Sequence, residues 1–174
     1  MVHSQGVIYE RGMNMGDSKF VGLSFEQVVR KYKDTVGSVC LMRLKNPTDA
    51  DDCFQNTFLR LYKKSPFFND EEHLKAWLIR VAINECNRFL KKNRPFIPVD
   101  KIEAEKTYFP HDEVDMSWAL LKLDHKYRDV IYLYYCEDYK VEEIANILKK
   151  SPNTVKTLLK RGREKVKEIY GGDE

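Results

Sequence analysis

The chain has 174 residues, a net charge of +3, 43% hydrophobic and 33% charged side chains. That is enough for one domain or two small ones and apolar enough to exclude wholesale disorder; with 8 glycines and 6 prolines it is poorly suited to a sandwich of tight turns. No run of about 18 apolar residues occurs, so no membrane insertion is expected, and residues 1–20 lack the apolar stretch of a secretory signal, so a cytoplasmic location is expected.

Residues 1–21 show no sustained period and read as a mobile N-terminal tail. Ser24-Phe25-Glu26-Gln27 has the form of a capping box, and Val28, Val29, Tyr32, Val36, Val39, Cys40 and Leu44 follow at helical spacing. Asn46-Pro47 stops that helix. Thr48 is expected to cap a second helix, with Asp49, Asp51 and Asp52 in its first turn, where the helix dipole favours acids. Its expected buried stripe is Ala50, Phe54, Thr57, Phe58 and Leu61, which leaves Gln55 and Asn56 with the acids on a polar surface. An acidic surface repels DNA and suits a basic protein partner. Residues 65–69 break the period, and a third helix is expected from near Asp70 to about Arg94. Leu74, Trp77, Leu78, Val81, Ala82, Cys86 and Phe89 form its core face. Arg80, Asn84, Asn87, Arg88 and Lys91 share a polar face that either holds a nucleic-acid strand or is simply solvated. Phe67 and Phe68, just before this helix, either take an unstacked base or cap the core.

Pro95, Pro98 and Pro110 bracket an acidic, non-periodic stretch, so residues 95–113 read as a linker. The chain is therefore expected to be all-α, with two small helical domains at 22–94 and 114–174. In the second, Trp118, Leu120, Leu121 and Leu123 belong to a short helix, and Tyr127, Val130, Ile131, Leu133 and Tyr134 to the next. A third runs over about 141–148, Lys149-Lys150 turns, and Ser151-Pro152 opens the last helix as N-cap and first helical residue. A short helix, a tight turn and a basic helix form the pattern of a helix-turn-helix. On a helical wheel Val155, Leu159, Gly162, Val166 and Ile169 face inward. Asn153, Thr157, Lys160 and Glu164 face outward, flanked by Lys156, Arg161, Lys165 and Lys167. Lys156, Thr157, Lys160 and Arg161 are expected near bases in a major groove, with the other cations near phosphates.

Residues 149–167 carry eight cations against Glu164 alone, which suits phosphates. Cys40, Cys53, Cys86 and Cys136 are widely spaced, with no Cys-x-x-Cys, and read as reduced thiols. No catalytic constellation accompanies the carboxylates, so neither enzyme activity, metal nor cofactor is expected.

Three stretches, in order, resemble the extracytoplasmic-function sigma factors, the small two-domain group of the sigma-70 family. Asp49-Ala50-Asp51-Asp52-Cys53-Phe54-Gln55-Asn56-Thr57-Phe58 is similar to the family's Asp-Ala-Glu-Asp-Leu-Val-Gln-Glu-x-Phe. Trp77-Leu78-Ile79-Arg80-Val81-Ala82-Ile83-Asn84 is similar to Trp-Leu-x-Arg-Ile-Ala-x-Asn. Glu143-Ile144-Ala145, with Ser151 and Thr154-Val155-Lys156-Thr157, is similar to Glu-Ile-Ala followed by Thr-Val-Lys-Ser. The chain departs from the family pattern at Lys140, Asn153 and Leu158. The resemblance implies a factor that directs bacterial core RNA polymerase to promoter DNA. It implies polymerase binding by Asp49, Asp51, Asp52, Gln55 and Asn56. It implies recognition and melting of the −10 element by Phe67, Phe68, Asn69, Arg80, Asn84, Asn87, Arg88 and Lys91. It implies −35 recognition by Asn153, Thr154, Lys156, Thr157, Lys160 and Arg161. An anti-sigma factor is a further partner the resemblance allows. The alternatives are a helix-turn-helix regulator acting without polymerase, and a polymerase-binding decoy.

Overall fold

The computed structural model describes residues 19–93 and 114–171. The expected linker at 95–113 lies outside them, as does nearly all of the expected tail. The described residues form seven helices: α1 (Phe25–Leu44), α2 (Pro47–Lys64), α3 (Glu71–Asn93), α4 (Val114–Lys122), α5 (His125–Tyr135), α6 (Val141–Leu148) and α7 (Pro152–Gly171). The all-α, two-domain expectation holds, with α1–α3 in one domain and α4–α7 in the other.

Local chemistry sets the helix ends. Ser24 Oγ accepts the Gln27 N–H at 3.3 Å, and Gln27 Oε1 accepts the Ser24 N–H at 2.8 Å, so the capping box closes both ways. Lys45 then leaves α1 with φ of 54°. The cap of α2 differs from the expectation. Asn46, not Thr48, is the N-cap, its Oδ1 accepting the Asp49 N–H at 3.2 Å. Pro47 takes the first helical position, where its missing N–H leaves nothing unpaired. Packing of the first domain also includes a residue ahead of the expected domain start. Phe20 is buried, 6.5 Å from the Phe25 ring and 6.4 Å from that of Phe68.

The first core is built by Val28, Val36, Leu61, Leu74, Leu78, Ala82 and Cys86, all essentially inaccessible. Cys40, Cys53 and Cys86 are free buried thiols, and neighbouring thiols and burial push those of Cys53 and Cys86 up. They serve as small apolar side chains, as expected from their spacing. Ile79 and Ile83 are also buried, although they lie off the stripe read from sequence. Ile83 lines a small cavity together with Arg128, Tyr132 and Leu133 of α5, so α3 has a second covered side.

In the second domain α7 lays Val155, Leu159 and Gly162 inward, as its periodicity predicts. Gly162 is there because α7 passes close to α5. A Cβ at that position would stand 2.9 Å from Ile131 Cγ1 and 3.6 Å from Tyr127 Cβ, and Ile131 is itself fully buried. We expect Gly162→Val to destabilise the chain by about 1–3 kcal/mol through overpacking. Urea denaturation followed by circular dichroism measures this, and an unchanged midpoint would contradict the close approach.

Candidate nucleic-acid interface

Three exposed faces gather the residues singled out in the sequence. On α2, Asp51, Asp52, Gln55 and Asn56 are exposed and Asp49 is half-buried. The same helix continues outward into Leu59 and Tyr62, which are 45% and 44% exposed. That apolar extension was not read from the sequence, although Asp52, Asn56, Leu59 and Tyr62 follow at intervals of four, three and three. An acidic rim beside two large apolar groups resembles a protein-binding surface more than a helix cap alone.

The second face is on α3 and the loop before it. Phe67 is 85% exposed and Phe68 is 5% exposed. Only Phe67 presents a free ring. Phe68 is a core residue, edge-on to His73 at 5.4 Å and Trp77 at 5.7 Å, as in the core-capping alternative of the two the sequence left open. Asn69 is exposed, and its backbone N–H donates to His73 Nδ1 at 3.4 Å. Lys91 and Asn84 are exposed. Arg88 is exposed too, but its Nη1 donates to both carboxylate oxygens of buried Glu85 at 3.0 Å. Arg80 donates from Nη2 to the carbonyl of Asn146 on α6 at 2.6 Å. Asn87 accepts from Arg43 Nη2 at 2.5 Å. The polar face of α3 is therefore split. Its outer cations meet solvent, and Arg80, Asn84 and Asn87 border the junction with the second domain.

The third face is the outer side of α7. The turn that presents it is made by Lys149, with φ of 53°, and by Ser151, whose Oγ accepts the Thr154 N–H at 3.1 Å. Asn153, Thr154, Lys156, Thr157, Lys160 and Arg161 are all exposed on it. The Thr154 hydroxyl shares a 2.8 Å hydrogen bond with Ser151, so it belongs partly to the cap. Thr157 donates its hydroxyl to the Asn153 carbonyl at 3.0 Å, which leaves its oxygen free to accept. The shorter α6 packs under α7 without a Ser or Thr cap. Glu143 Oε2 accepts the Lys140 N–H at 2.7 Å instead, which answers the departure at Lys140.

The junction between the domains is the part the sequence did not announce. Arg128 on α5 is 2% exposed. Its guanidinium donates to the carbonyls of Leu120 (2.6 Å), Leu121 (3.3 Å) and Leu123, and across the junction to that of Met42. Burial pulls it down to about 10, so it is still a cation at neutral pH. Arg43 pairs with Asp129 across the same junction, with side-chain exposures of 5% and 14%. Lys75 on α3 pairs with Glu137 after α5 at 2.8 Å. The only hint in the sequence is position. Arg128 falls among Tyr127, Val130 and Ile131, where a solvated arginine has no room.

A two-domain helical chain thus carries an exposed acidic surface on α2 and a basic helix-turn-helix. Family models of sigma-70 region 2 and sigma-70 region 4 match residues 28–96 and 118–166. The ECF RNA polymerase sigma factor SigW of Bacillus subtilis (strain 168) is 31% identical, over 81% of this chain and 86% of that one. The RNA polymerase sigma factor SigV of the same organism is 31% identical, over 76% and 82%. In fold, the chain is similar to the sigma factor RpoE of Bartonella quintana, in its complex with the anti-sigma factor NepR. The TM-score is 0.69 at 22% identity, covering 86% of this chain and 98% of that one. The chain belongs to the extracytoplasmic-function group of the sigma-70 family.

Asp129→Ala should loosen the junction. It leaves Arg43 dry with Asn87 as its remaining partner, a situation that costs a few kcal/mol unless the arginine rehydrates. Domain separation rehydrates it. The radius of gyration of the full chain, by small-angle scattering, should rise while helical content stays constant; an unchanged radius would count against the junction.

Proposed function

We propose that this chain carries out promoter recognition as the family does, with its labour divided by residue as follows. Residues 22–94 form the part that docks on core polymerase and engages the −10 element, and residues 114–174 the part that reads the −35 element. The observation that carries this division is the separation of charge. Asp49, Asp51, Asp52, Gln55 and Asn56 make an acidic surface on α2, and α7 makes a basic one. DNA is a partner for the second and not for the first.

On α2, the acids and the exposed Leu59 and Tyr62 dock on a basic, partly apolar site of the polymerase. On α3, Arg80, Arg88 and Lys91 contact backbone phosphates, with Asn84 and Asn87 as amide readers and Phe67 as a platform for one unstacked base. Stacking a base on an aromatic ring is worth about 1–3 kcal/mol, which offsets part of the cost of opening the duplex. Because Arg80 and Asn87 are engaged at the junction, the domains part before a strand lies on them. On α7, Lys156, Thr157, Lys160 and Arg161 meet base edges, and Asn153 and Thr154 fix the entry of the helix. Two weak contacts held on one polymerase act bivalently, so neither domain needs high affinity alone. The polymerase supplies the chemistry, and the place of action is the cytoplasm, where it works. An anti-sigma factor is a further partner this reading allows.

Two substitutions test the division. Asp49→Arg with Asp52→Arg should weaken capture of core polymerase by roughly ten-fold or more, because repulsion replaces attraction at a charged interface. Capture equal to the unsubstituted chain would defeat that assignment. Lys160→Ala with Arg161→Ala should leave capture intact and remove most of the difference in transcription between intact and scrambled −35 elements. Each good bidentate base contact contributes about 1–3 kcal/mol of discrimination. A difference that survives the substitution would defeat the −35 assignment.

A further inference from the structure

The junction between the domains encloses a cleft of about 210 Å³. Arg43 and Arg80 border it from the first domain, and Lys126, Lys149 and Lys150 from the second. Asp129 is the one carboxylate among its lining residues, and Arg43 already engages it. Four further cations thus face one another across a narrow space with no counter-charge in the lining. Like charges brought together this way repel.

The two arginines add a second observation. The Arg43 side chain is 5% exposed. Its Nε–H and that of Arg80 are buried and have no hydrogen-bond acceptor among the described residues. Unpartnered guanidinium donors at the edge of a cationic cleft call for an acceptor that brings negative charge. Planar guanidinium groups match phosphate oxygens well. Size narrows the class, since drug-sized ligands occupy clefts of roughly 300–1,000 Å³. A volume of about 210 Å³ accommodates a short chain of phosphates.

We propose that this cleft is a binding site for a small polyphosphate, a di- or triphosphate group either inorganic or carried on a nucleotide, and that its occupancy holds the two domains together. The anion neutralises charge contributed by both domains, so it binds the closed arrangement better than a parted one and shifts the population toward it. Arg80 also belongs to the proposed promoter face, so the polyphosphate and the promoter strand exclude one another. The binding claim stands on the cleft alone, and the exclusion claim rests on the function proposed above.

The test is calorimetric titration of the full chain with inorganic tripolyphosphate at about 0.15 M salt, where long-range surface attraction is largely screened. One site per chain is expected. Lys149→Glu with Lys150→Glu should weaken it by about ten-fold or more, because two charge-assisted contacts to the anion become repulsive. Lys160→Glu with Arg161→Glu, on the basic face of α7, should leave it nearly unchanged. Adenosine triphosphate distinguishes the sources. Equal affinity assigns the site to the phosphate chain alone, and tighter binding to a nucleotide whose base lies outside the cleft. No heat of binding, or equal weakening by both pairs of substitutions, overturns the site. Binding of an acidic hexapeptide but not of tripolyphosphate overturns it as well, in favour of a protein partner. Scattering on the same samples should show a radius of gyration no larger with the anion than without; an expansion overturns the closing role. If polymerase-dependent transcription fails altogether while the titration succeeds, the proposed function falls and the site stands. If transcription works and saturating tripolyphosphate does not slow it, the exclusion claim falls.

Discussion

One buried cation organises both halves of this protein. The last carbonyls of a helix lack partners within the helix, and the negative end of the dipole lies there. Arg128 answers that need twice. It donates to Leu120, Leu121 and Leu123 at the end of α4, and to Met42 in the last turn of α1. The same side chain therefore fixes the turn on which the second domain is built and ties that domain to the first. Arg43, one residue beyond Met42, pairs with the neighbouring Asp129. The Arg128 charge is dry and hydrogen-bonded through every guanidinium nitrogen, so it has few tolerable alternatives, which makes its placement specific.

That constraint distributes the working surfaces unequally. The acidic side of α2 and the outer side of α7 are exposed whether or not the domains touch. The polar face of α3 is not equally free, because Arg80 is spent on a carbonyl of α6 and Asn87 on Arg43. A chain built this way can meet polymerase while part of the face proposed for the −10 element is still occupied by its own second domain. The free energy that parts the domains then has to come from partners that bind the parted form better.

Most of the fold was legible because it rests on local rules. The box at Ser24 and Gln27, the Ser151-Pro152 start and the stripe through Val155, Leu159 and Gly162 involve residues close in sequence, whose period shows directly. The family resemblance was legible for the same reason, as three short motifs on three helices. What escaped was whatever depends on distant parts of the chain. Phe67 and Phe68 look alike in sequence, yet only packing against Phe20 and Trp77 decides that Phe68 is core. Asn46 and Thr48 are both good caps, and the proline between them favoured the first. Ile79 and Ile83 lie off the stripe of α3 because that helix is covered on two sides, which no single-helix wheel can reveal. The roles of Arg128 and Asp129 appear only once the carbonyls and cation they serve, some 86 residues away in the chain, are placed beside them.

The central claim is that this chain confers promoter choice on core polymerase. Transcription in vitro with purified core polymerase on fragmented genomic DNA from the source, with and without this protein, tests it most directly. The account predicts new, discrete start sites that require the protein and share a −35 and a −10 element. Stable polymerase binding with no new starts would contradict it and favour a decoy, and the absence of any polymerase binding would favour a regulator that acts on DNA alone.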